Sequence, residues 1–215
     1  MAGELLFALE LGVSGLLVGV MYALVALGFV LIYKASAVFN FAQGAMTLFA
    51  ALALVGFIPR FGMAGALVAA ALVLTLVWFF QKTTTGLGLR AVSDDHEAAL
   101  AVGIPLRQAW AVTWAIAGIV AMVAGILWGT RLGVQFSLSL VALKALPVLI
   151  IGGLESIPGA ILGGLIVGAT ERLVGGFIDP YVGGGVKDFS PYLLALVFLI
   201  FRPYGLFGRE IIERV

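Results

Sequence analysis

Ionisable side chains interrupt the apolar stretches of this sequence, where they could either contact a substrate or hold helices together. Lys144 lies in the apolar segment 138–153, and Glu171 and Arg172 lie in the apolar segment 157–177. A charge at the centre of a membrane helix costs about 2.5–3.5 kcal/mol on insertion scales, so such groups should face the protein interior, water or each other. We predict an ion pair between Lys144 and Glu171, which would either fix helix packing or lie on a path for a substrate.

Two amide side chains beside a helix start form a second candidate site. Asn40 and Gln43 flank a short apolar stretch, and Gly44 opens the next apolar segment. The N-terminal end of a broken membrane helix can hold an anionic group, such as the carboxylate of an amino acid. The alternative is that both amides cap or lock a turn. We expect this turn near the cytoplasmic face, which favours a gate over a site at the middle of the membrane.

One long polar segment, residues 81–108, carries basic, acidic and hydroxyl side chains that no lipid-facing helix could hold. Ser93 or Asp94 can cap the start of a helix there, and Gly103 followed by Pro105 would end it. The residues between them have a small apolar face. The sequence therefore predicts a short amphipathic helix outside the membrane, and from these residues alone a solvated connector is the simpler interpretation.

The composition indicates that lipid surrounds most of the chain. Apolar residues make up 63% of the sequence and charged residues 11%, whereas a soluble domain carries about 25% charged residues. The first apolar segment is long enough to cross a membrane, and no Lys or Arg precedes it. A cleaved signal peptide begins with a positive region, so we interpret this segment as a retained span.

Several classes of function are excluded by what the sequence lacks. It has no cysteine, and its single histidine, His96, could not build a typical zinc site alone. It has no Walker-type phosphate loop, so it should not hydrolyse ATP itself. It has no basic stripe with interleaved aromatic residues, which argues against binding of nucleic acid. We therefore expect no metal, no cofactor and no enzymatic activity in this chain.

A series of apolar segments predicts an all-α, polytopic transmembrane helical bundle, in one domain over residues 1–215. A helix of about 20 apolar residues crosses the hydrocarbon core of a bilayer. Pro147 and the pair Gly152-Gly153 interrupt one segment, so we expect a discontinuous or re-entrant helix there. The segments are 11–33, 44–58, 61–80, 109–128, 138–153, 157–177 and 190–201.

Glycines recur with helical spacing in two of these segments, at Gly12, Gly15 and Gly19 and again at Gly159, Gly163, Gly164 and Gly168. Small residues let membrane helices approach closely. We interpret these glycines as contacts for packing within one subunit, since spacing alone does not identify a second one.

The distribution of Lys and Arg gives an orientation. If the loop 81–108 is cytoplasmic and every segment crosses once, most of the basic residues outside the segments fall on the cytoplasmic side. The N-terminus is then outside and the C-terminus inside. If segment 138–153 instead enters and leaves on one side, everything after it inverts and the bias is lost.

The polar loop also carries a motif. Glu97, Ala98 and Ala99, followed by Gly103, match the Glu-Ala-Ala-x-x-x-Gly core of the cytoplasmic loop in bacterial ATP-binding-cassette (ABC) importer permeases. Further blocks, in the same order, resemble the branched-chain amino acid permease family. They are residues 22–28, 40–44, 86–91, 143–145, 152–160 and 201–207.

The resemblance implies a function and a set of partners. In this family the loop helix docks on an ATPase subunit and transmits movement driven by nucleotide, a role that would fall here to Glu97, Ala98, Ala99 and Gly103. The chain would import branched-chain or related small amino acids across the inner membrane. It would work with ATP-binding-cassette subunits, a second permease subunit and an extracytoplasmic substrate-binding protein.

The resemblance has one departure, which leaves alternatives open. Family members carry additional spans between the second and third apolar segments, which residues 57–62 join directly here. The alternatives are a sugar, nucleoside, amide or urea permease of similar architecture, or a non-transporting membrane scaffold that still binds the ATPases.

Overall fold

Helices make up almost all of the regular structure that the computed structural model describes. The described residues are 2–55, 75, 78, 82–94 and 96–208. They contain no β-strand, which confirms the all-α prediction. The predicted segment 61–80 lies outside the described residues except for Thr75 and Trp78, both of which are helical.

The helices agree closely with the apolar segments of the sequence. Among the described residues, three helical stretches are long and apolar enough to cross a membrane, namely Gly3–Ser36, Leu106–Leu132 and Ile157–Phe177. A 3-10 helix, Phe136–Leu140, precedes the helix that contains Pro147. The helices are α1 (Ala2–Ser36), α2 (Gln43–Val55), α3 (Thr84–Asp94), α4 (His96–Ala101), α5 (Leu106–Leu132), α6 (Val141–Gly152), α7 (Ile157–Phe177), α8 (Asp179–Val182) and α9 (Val186–Phe201).

The start of α7 shows how sequence sets a helix boundary here. Ser156 has extended backbone angles, and its hydroxyl accepts a hydrogen bond of 3.0 Å from the backbone N–H of Gly159. Pro158 occupies the first turn, where its missing N–H leaves no hydrogen bond unmade. The left-handed Gly153, with φ of 99°, ends α6 just before this cap, so a tight turn joins α6 to α7.

The chain divides into two compact units. The first comprises Met1–Ala26 and Val141–Val215, and the second comprises Leu27–Leu140. Helix α1 contributes residues to both. The single domain predicted over residues 1–215 stays a prediction.

In the first unit, glycines bring α1 and α7 into backbone contact. A β-carbon built on Gly164 would lie 2.6 Å from the carbonyl oxygen of Gly19 and 2.7 Å from the Cβ of Ala23. A β-carbon on Gly15 would lie 2.7 Å from the Cα of Ala169. Only glycine allows these approaches, so the interpretation of the glycines as packing contacts within one subunit is confirmed for this helix pair.

The same unit holds its last described segment against the end of α6. The backbone N–H of Leu206 donates to the carbonyl of Ile151 at 2.8 Å, and that of Phe207 donates to Gly152 at 3.2 Å. The last carbonyls of a helix have no partner within the helix. The segment after α9 therefore satisfies the final carbonyls of α6.

In the second unit, α2 packs against α5. A β-carbon on Gly125 would collide with the backbone carbonyl of Thr47. At the other end of α5, the indole Nε1 of Trp110 donates to the carbonyl oxygen of Ala35 at 2.9 Å. This bond ties the start of α5 to the last turn of α1.

Candidate functional site

The predicted ion pair between Lys144 and Glu171 is present and belongs to a larger network in the first unit. The ammonium Nζ of Lys144, on α6, lies 2.8 Å from Oε1 of Glu171, on α7. The same Nζ lies 2.7 Å from Oδ1 of Asp188, in the first turn of α9. From α1, the hydroxyl of Tyr22 donates to Oε2 of Glu171 at 2.6 Å. Four helices thus converge on two carboxylates, one ammonium and one phenol.

The network is closed at one end and open at the other. Glu171 has 12% of its side chain exposed and uses both carboxylate oxygens, whereas Lys144 is 25% exposed and Asp188 is 52% exposed. A carboxylate buried among apolar helices needs such partners, because an unpaired charge there is costly. Arg172 is exposed and forms no ion pair with a described residue. Neighbouring residues of a helix project about 100° apart, so Arg172 does not share the environment of Glu171.

Two members of this network were missed by sequence reasoning. Asp188 lies two residues before the apolar segment 190–201, so nothing in its position pointed to Lys144. Tyr22 lies in the first span, where a phenol does not disturb the hydropathy. A further partner could have been inferred from the hydrogen-bonding capacity of Lys144. Its ammonium has three N–H donors, and a single carboxylate such as that of Glu171 rarely accepts from all three.

The turn before α2 resembles the capped turn that was one of the two alternatives for Asn40. Its Oδ1 accepts from the backbone N–H of Ala42 at 3.1 Å, and its carbonyl accepts from that of Gln43 at 3.1 Å. Its Nδ2 reaches the sulfur of Met46 at 3.4 Å. Asn40 therefore fixes the turn between α1 and α2.

Gln43 has a different environment. Its side chain is fully buried, and neither Oε1 nor Nε2 has a hydrogen-bond partner among the described residues. It lies against Gly28 on α1, where a β-carbon would collide with the amide nitrogen. Buried amides are normally paired, so Gln43 stands out as a polar group held at the crossing of α1 and α2.

The polar loop contains two helices where the sequence predicted one. The interpretation of Ser93 or Asp94 as the start of the loop helix is wrong, because α3 extends through Asp94 and α4 begins at His96. Leu89 and Val92 on α3 are buried. Their burial explains why this threonine- and glycine-containing segment is helical despite its weak apolar pattern.

The end of α4 is a Schellman turn built on Gly103. The N–H of Ile104 donates to the carbonyl of Ala99 at 2.9 Å, and that of Gly103 donates to Leu100 at 3.0 Å. Gly103 has φ of 85°, a conformation that other residues adopt at a cost. Among the motif residues, Glu97 and Ala98 are exposed, whereas Ala99 is buried.

A cleft of about 870 Å³ lies beside this turn. Its walls come from α3, from the turn Gly103–Pro105 and from the first residues of α5, and its lining includes Leu87, Ile104 and Val112. The cleft is open and mainly apolar, so the loop forms a concave surface and is more than a solvated connector.

Replacing Gly103 with alanine is expected to loosen α4 without unfolding the chain. The added β-carbon meets nothing within 4 Å, so the cost is the left-handed backbone alone, about 1 kcal/mol. Amide hydrogen exchange of residues 96–104 should become about fivefold faster.

The matched control is Gly118→Ala. Gly118 also has open space around it but lies inside α5, where alanine is the better helix former. In Gly118→Ala, amide hydrogen exchange of residues 96–104 should not become faster. Equal exchange in Gly103→Ala and the native chain would show that the turn does not need its glycine.

Comparison with known families decides what kind of protein carries these features. A family model described as "Branched-chain amino acid transport system / permease component" matches residues 56–201, more than half of the chain. The chain belongs to this family. The resemblance noted in the sequence is thereby confirmed, and the three long apolar helices agree with a membrane permease.

Individual permeases of the family are similar to this chain over about two thirds of its length. The high-affinity branched-chain amino acid transport system permease protein LivH of Escherichia coli K12 is 33% identical over 144 residues, which are 66% of this chain and 46% of LivH. BraD, the permease protein of the same description from Pseudomonas aeruginosa, is 34% identical over 142 residues, covering 65% of this chain and 45% of BraD.

A permease with another described cargo is also similar. The autoinducer 2 import system permease protein LsrC of Photorhabdus luminescens is 25% identical over 141 residues, which are 60% of this chain and 41% of LsrC. The matched region spans less than half the length of each of these relatives. No solved structure matches the chain.

Proposed function

We propose that this chain is a membrane-spanning permease subunit of an ABC importer that translocates branched-chain or related small amino acids across the inner membrane. The observation that carries the proposal is the loop of residues 82–105. It presents the Glu-Ala-Ala-x-x-x-Gly motif on a short helix closed by a glycine turn, in a chain that belongs to the branched-chain amino acid permease family.

The loop would couple the chain to ATP-binding-cassette subunits, which supply the ATP hydrolysis. Glu97 and Ala98 lie on the exposed side of α4 and would contact the ATPase, whereas buried Ala99 would hold α4 against the rest of the unit. Gly103 would let the chain reverse directly into α5. Movement of α4 would then reach α5 through a short, hydrogen-bonded connection.

The bond between Trp110 and Ala35 extends this route. It links the first turns of α5 to the last turn of α1, immediately before the turn that Asn40 caps. We propose that Asn40 and Gln43 form a gate that responds to the loop. The unpartnered amide of buried Gln43 supports this role, because it offers hydrogen bonds that the described residues leave unused.

The Lys144–Glu171 pair would lie along the path of the substrate. The partners of the chain in the assembly would be a second permease subunit and an extracytoplasmic substrate-binding protein that delivers the cargo. This arrangement requires the loop to face the cytoplasm, with the N-terminus outside.

The proposed orientation predicts the side from which single cysteines react. The chain has no native cysteine, so Thr84→Cys in the loop and Tyr181→Cys after α7 can be labelled individually. Both positions are exposed, Tyr181 at 89%. In sealed cells a membrane-impermeant maleimide should label Tyr181→Cys and should reach Thr84→Cys only after permeabilisation. Protection of both positions in sealed cells, with labelling of both only after permeabilisation, would mean that the proposed crossing of segment 138–153 is wrong.

A specific test of coupling is charge reversal at the loop. We expect Glu97→Lys to lose co-purification with the ABC subunits of a branched-chain amino acid importer while the chain still inserts into the membrane. Glu10→Lys, a reversal at an exposed residue of α1, is the control and should retain them. Full association of Glu97→Lys would remove the docking role from this motif.

Two observations favour other candidate functions. The similarity to an autoinducer 2 permease is consistent with a different cargo, such as a sugar-like, nucleoside or amide molecule. The match to less than half of each relative is consistent with a scaffold that binds the ATPases without transporting. Uptake measurements with leucine against ribose and urea separate the cargoes, and association without any uptake identifies the scaffold.

A further inference from the structure

The two ends of the Lys144 network differ in how many hydrogen bonds they leave unused. At the closed end, both oxygens of Glu171 are occupied, one by Lys144 and the other by Tyr22. At the open end, Asp188 uses only Oδ1, and no described residue donates to Oδ2. The Lys144 ammonium has three N–H groups, two of which point to the carboxylates. The open end therefore offers an unused donor beside an unused acceptor.

This donor and acceptor have opposite charges and lie next to each other. The charges of Lys144 and Asp188 are only 2.7 Å apart, and a free α-amino acid carries a carboxylate and an ammonium on the same carbon atom. A zwitterion of this kind can therefore meet the exposed pair head to tail, with its carboxylate on Lys144 and its ammonium on Asp188. Bonds between charged groups are stronger than those between neutral ones.

The chain around Asp188 has the freedom that such an exchange requires. Three consecutive glycines, Gly183, Gly184 and Gly185, precede α9 and have φ values of 85°, 95° and 88°. Glycine adopts many backbone conformations at little cost. The start of α9 is held at this point by a bond of 3.1 Å from the N–H of Lys187 to Oδ1 of Asp179. Rotations in these glycines would change the position of the first turn of α9, which carries Asp188, relative to Lys144.

We propose that the Lys144–Asp188 pair is a zwitterion-exchange site, which opens to bind the α-carboxylate and the α-ammonium of a free amino acid. The inference rests on the proposed function, because it takes an amino acid as the cargo. Once the amino acid is bound, no charge is left unpaired, since Lys144 stays bound to Glu171 and the incoming molecule is neutral overall. An unpaired charge in a partly buried site would oppose entry.

The site recognises both charged groups of the cargo and therefore rejects analogues that lack either. Leucinamide has the ammonium without the carboxylate, and 4-methylpentanoate has the carboxylate without the ammonium. Each would leave one member of the opened pair without a partner. A lost hydrogen bond to a charged group corresponds to about tenfold or more in affinity, so both analogues should compete with leucine at least about tenfold more weakly than leucine itself.

The test is equilibrium binding of tritiated leucine to the full chain in lipid nanodiscs, followed by competition with the two analogues. Asp188→Asn keeps the size of the side chain and removes its charge, so leucine affinity should fall by about tenfold. Asp188→Glu restores the carboxylate and should recover most of the affinity. Glu155→Gln, at an exposed carboxylate in the turn before α7, is the matched control and should stay within about twofold of the native chain.

The outcomes separate this inference from the proposed function. Native affinity in Asp188→Asn, or equal competition by leucinamide, would overturn the exchange site, and the import function would stand if the native chain still supports uptake of leucine. Failure of the native chain to bind leucine would overturn the exchange site, and absence of uptake in the complete transporter would overturn the proposed function as well. The analogue competition uses only the native chain, so it decides the matter even if a variant fails to fold.

Discussion

Gly164→Leu is expected to abolish stable folding of the first unit, because α1 and α7 leave no room for a side chain at this position. The β-carbon alone would lie 2.6 Å from the carbonyl oxygen of Gly19, 2.7 Å from the Cβ of Ala23 and 2.9 Å from its backbone nitrogen. These atoms belong mainly to the backbone of α1 and cannot turn aside. Overpacking of a core costs about 1–3 kcal/mol even where side chains can adjust, so the loss here should be larger.

The measurement is the thermal stability of the detergent-solubilised chain, followed by fluorescence-detected size exclusion. Gly12→Ala is the matched control, because Gly12 lies on the same helix as Gly19 and has nothing within 4 Å of the added β-carbon. The control should keep or slightly raise the melting temperature, since alanine favours helix over glycine. A native melting temperature for Gly164→Leu would show that α1 and α7 do not meet through their glycines.

The second large loss of stability is expected when the Lys144–Glu171 ion pair is broken. Because of the wider network, this loss should differ between substitution of Lys144 and substitution of Glu171. Lys144→Met removes the ammonium and leaves Glu171 and Asp188 without their shared counter-charge. Breaking a buried pair by removing one partner costs about 3 kcal/mol or more. Glu171→Gln should cost less, because Lys144 keeps Asp188 at 2.7 Å and the amide still accepts from Tyr22.

A double-mutant cycle tests this asymmetry. The double variant Lys144→Met/Glu171→Gln should be more stable than Lys144→Met alone, with a coupling energy of about 1 kcal/mol or more. Lys187→Met, a nearby exposed lysine without an ion pair among the described residues, controls for loss of a lysine. Strictly additive losses would contradict the pairing as the basis of the site.

The sequence predicted the long helices well because lipid imposes a simple rule on them. A spanning helix must satisfy the hydrogen bonds of its own backbone and present apolar side chains. Hydropathy therefore located α5, and the predicted segment 157–177 has the same bounds as α7. Pro147 does not interrupt its helix, because α6 runs from Val141 to Gly152 with Pro147 inside it, and the 3-10 helix Phe136–Leu140 precedes it. The discontinuous or re-entrant helix therefore stays a prediction.

The loop was predicted less well because tertiary contacts decide its structure. Nothing in the composition of residues 84–94 favours a helix, yet burial of Leu89 and Val92 stabilises one. The same reason applies to Asp188 and Tyr22, which join the network through folding. The pair of Lys144 and Glu171 was predictable because an unpaired charge inside the bundle is costly. The roles of Glu97, Ala98, Ala99 and Gly103 in coupling come from the family resemblance and stay predictions.

Reconstitution of the complete transporter tests the central claim most directly. The chain would be incorporated into proteoliposomes with ATP-binding-cassette subunits, a second permease subunit and a binding protein of a branched-chain amino acid importer, and uptake of tritiated leucine would be followed. The account predicts uptake that requires ATP, the binding protein and this chain, and that Glu97→Lys abolishes while Glu10→Lys does not. Absence of leucine uptake with the native chain, although the ATPases are bound, would contradict it and identify the chain as a scaffold.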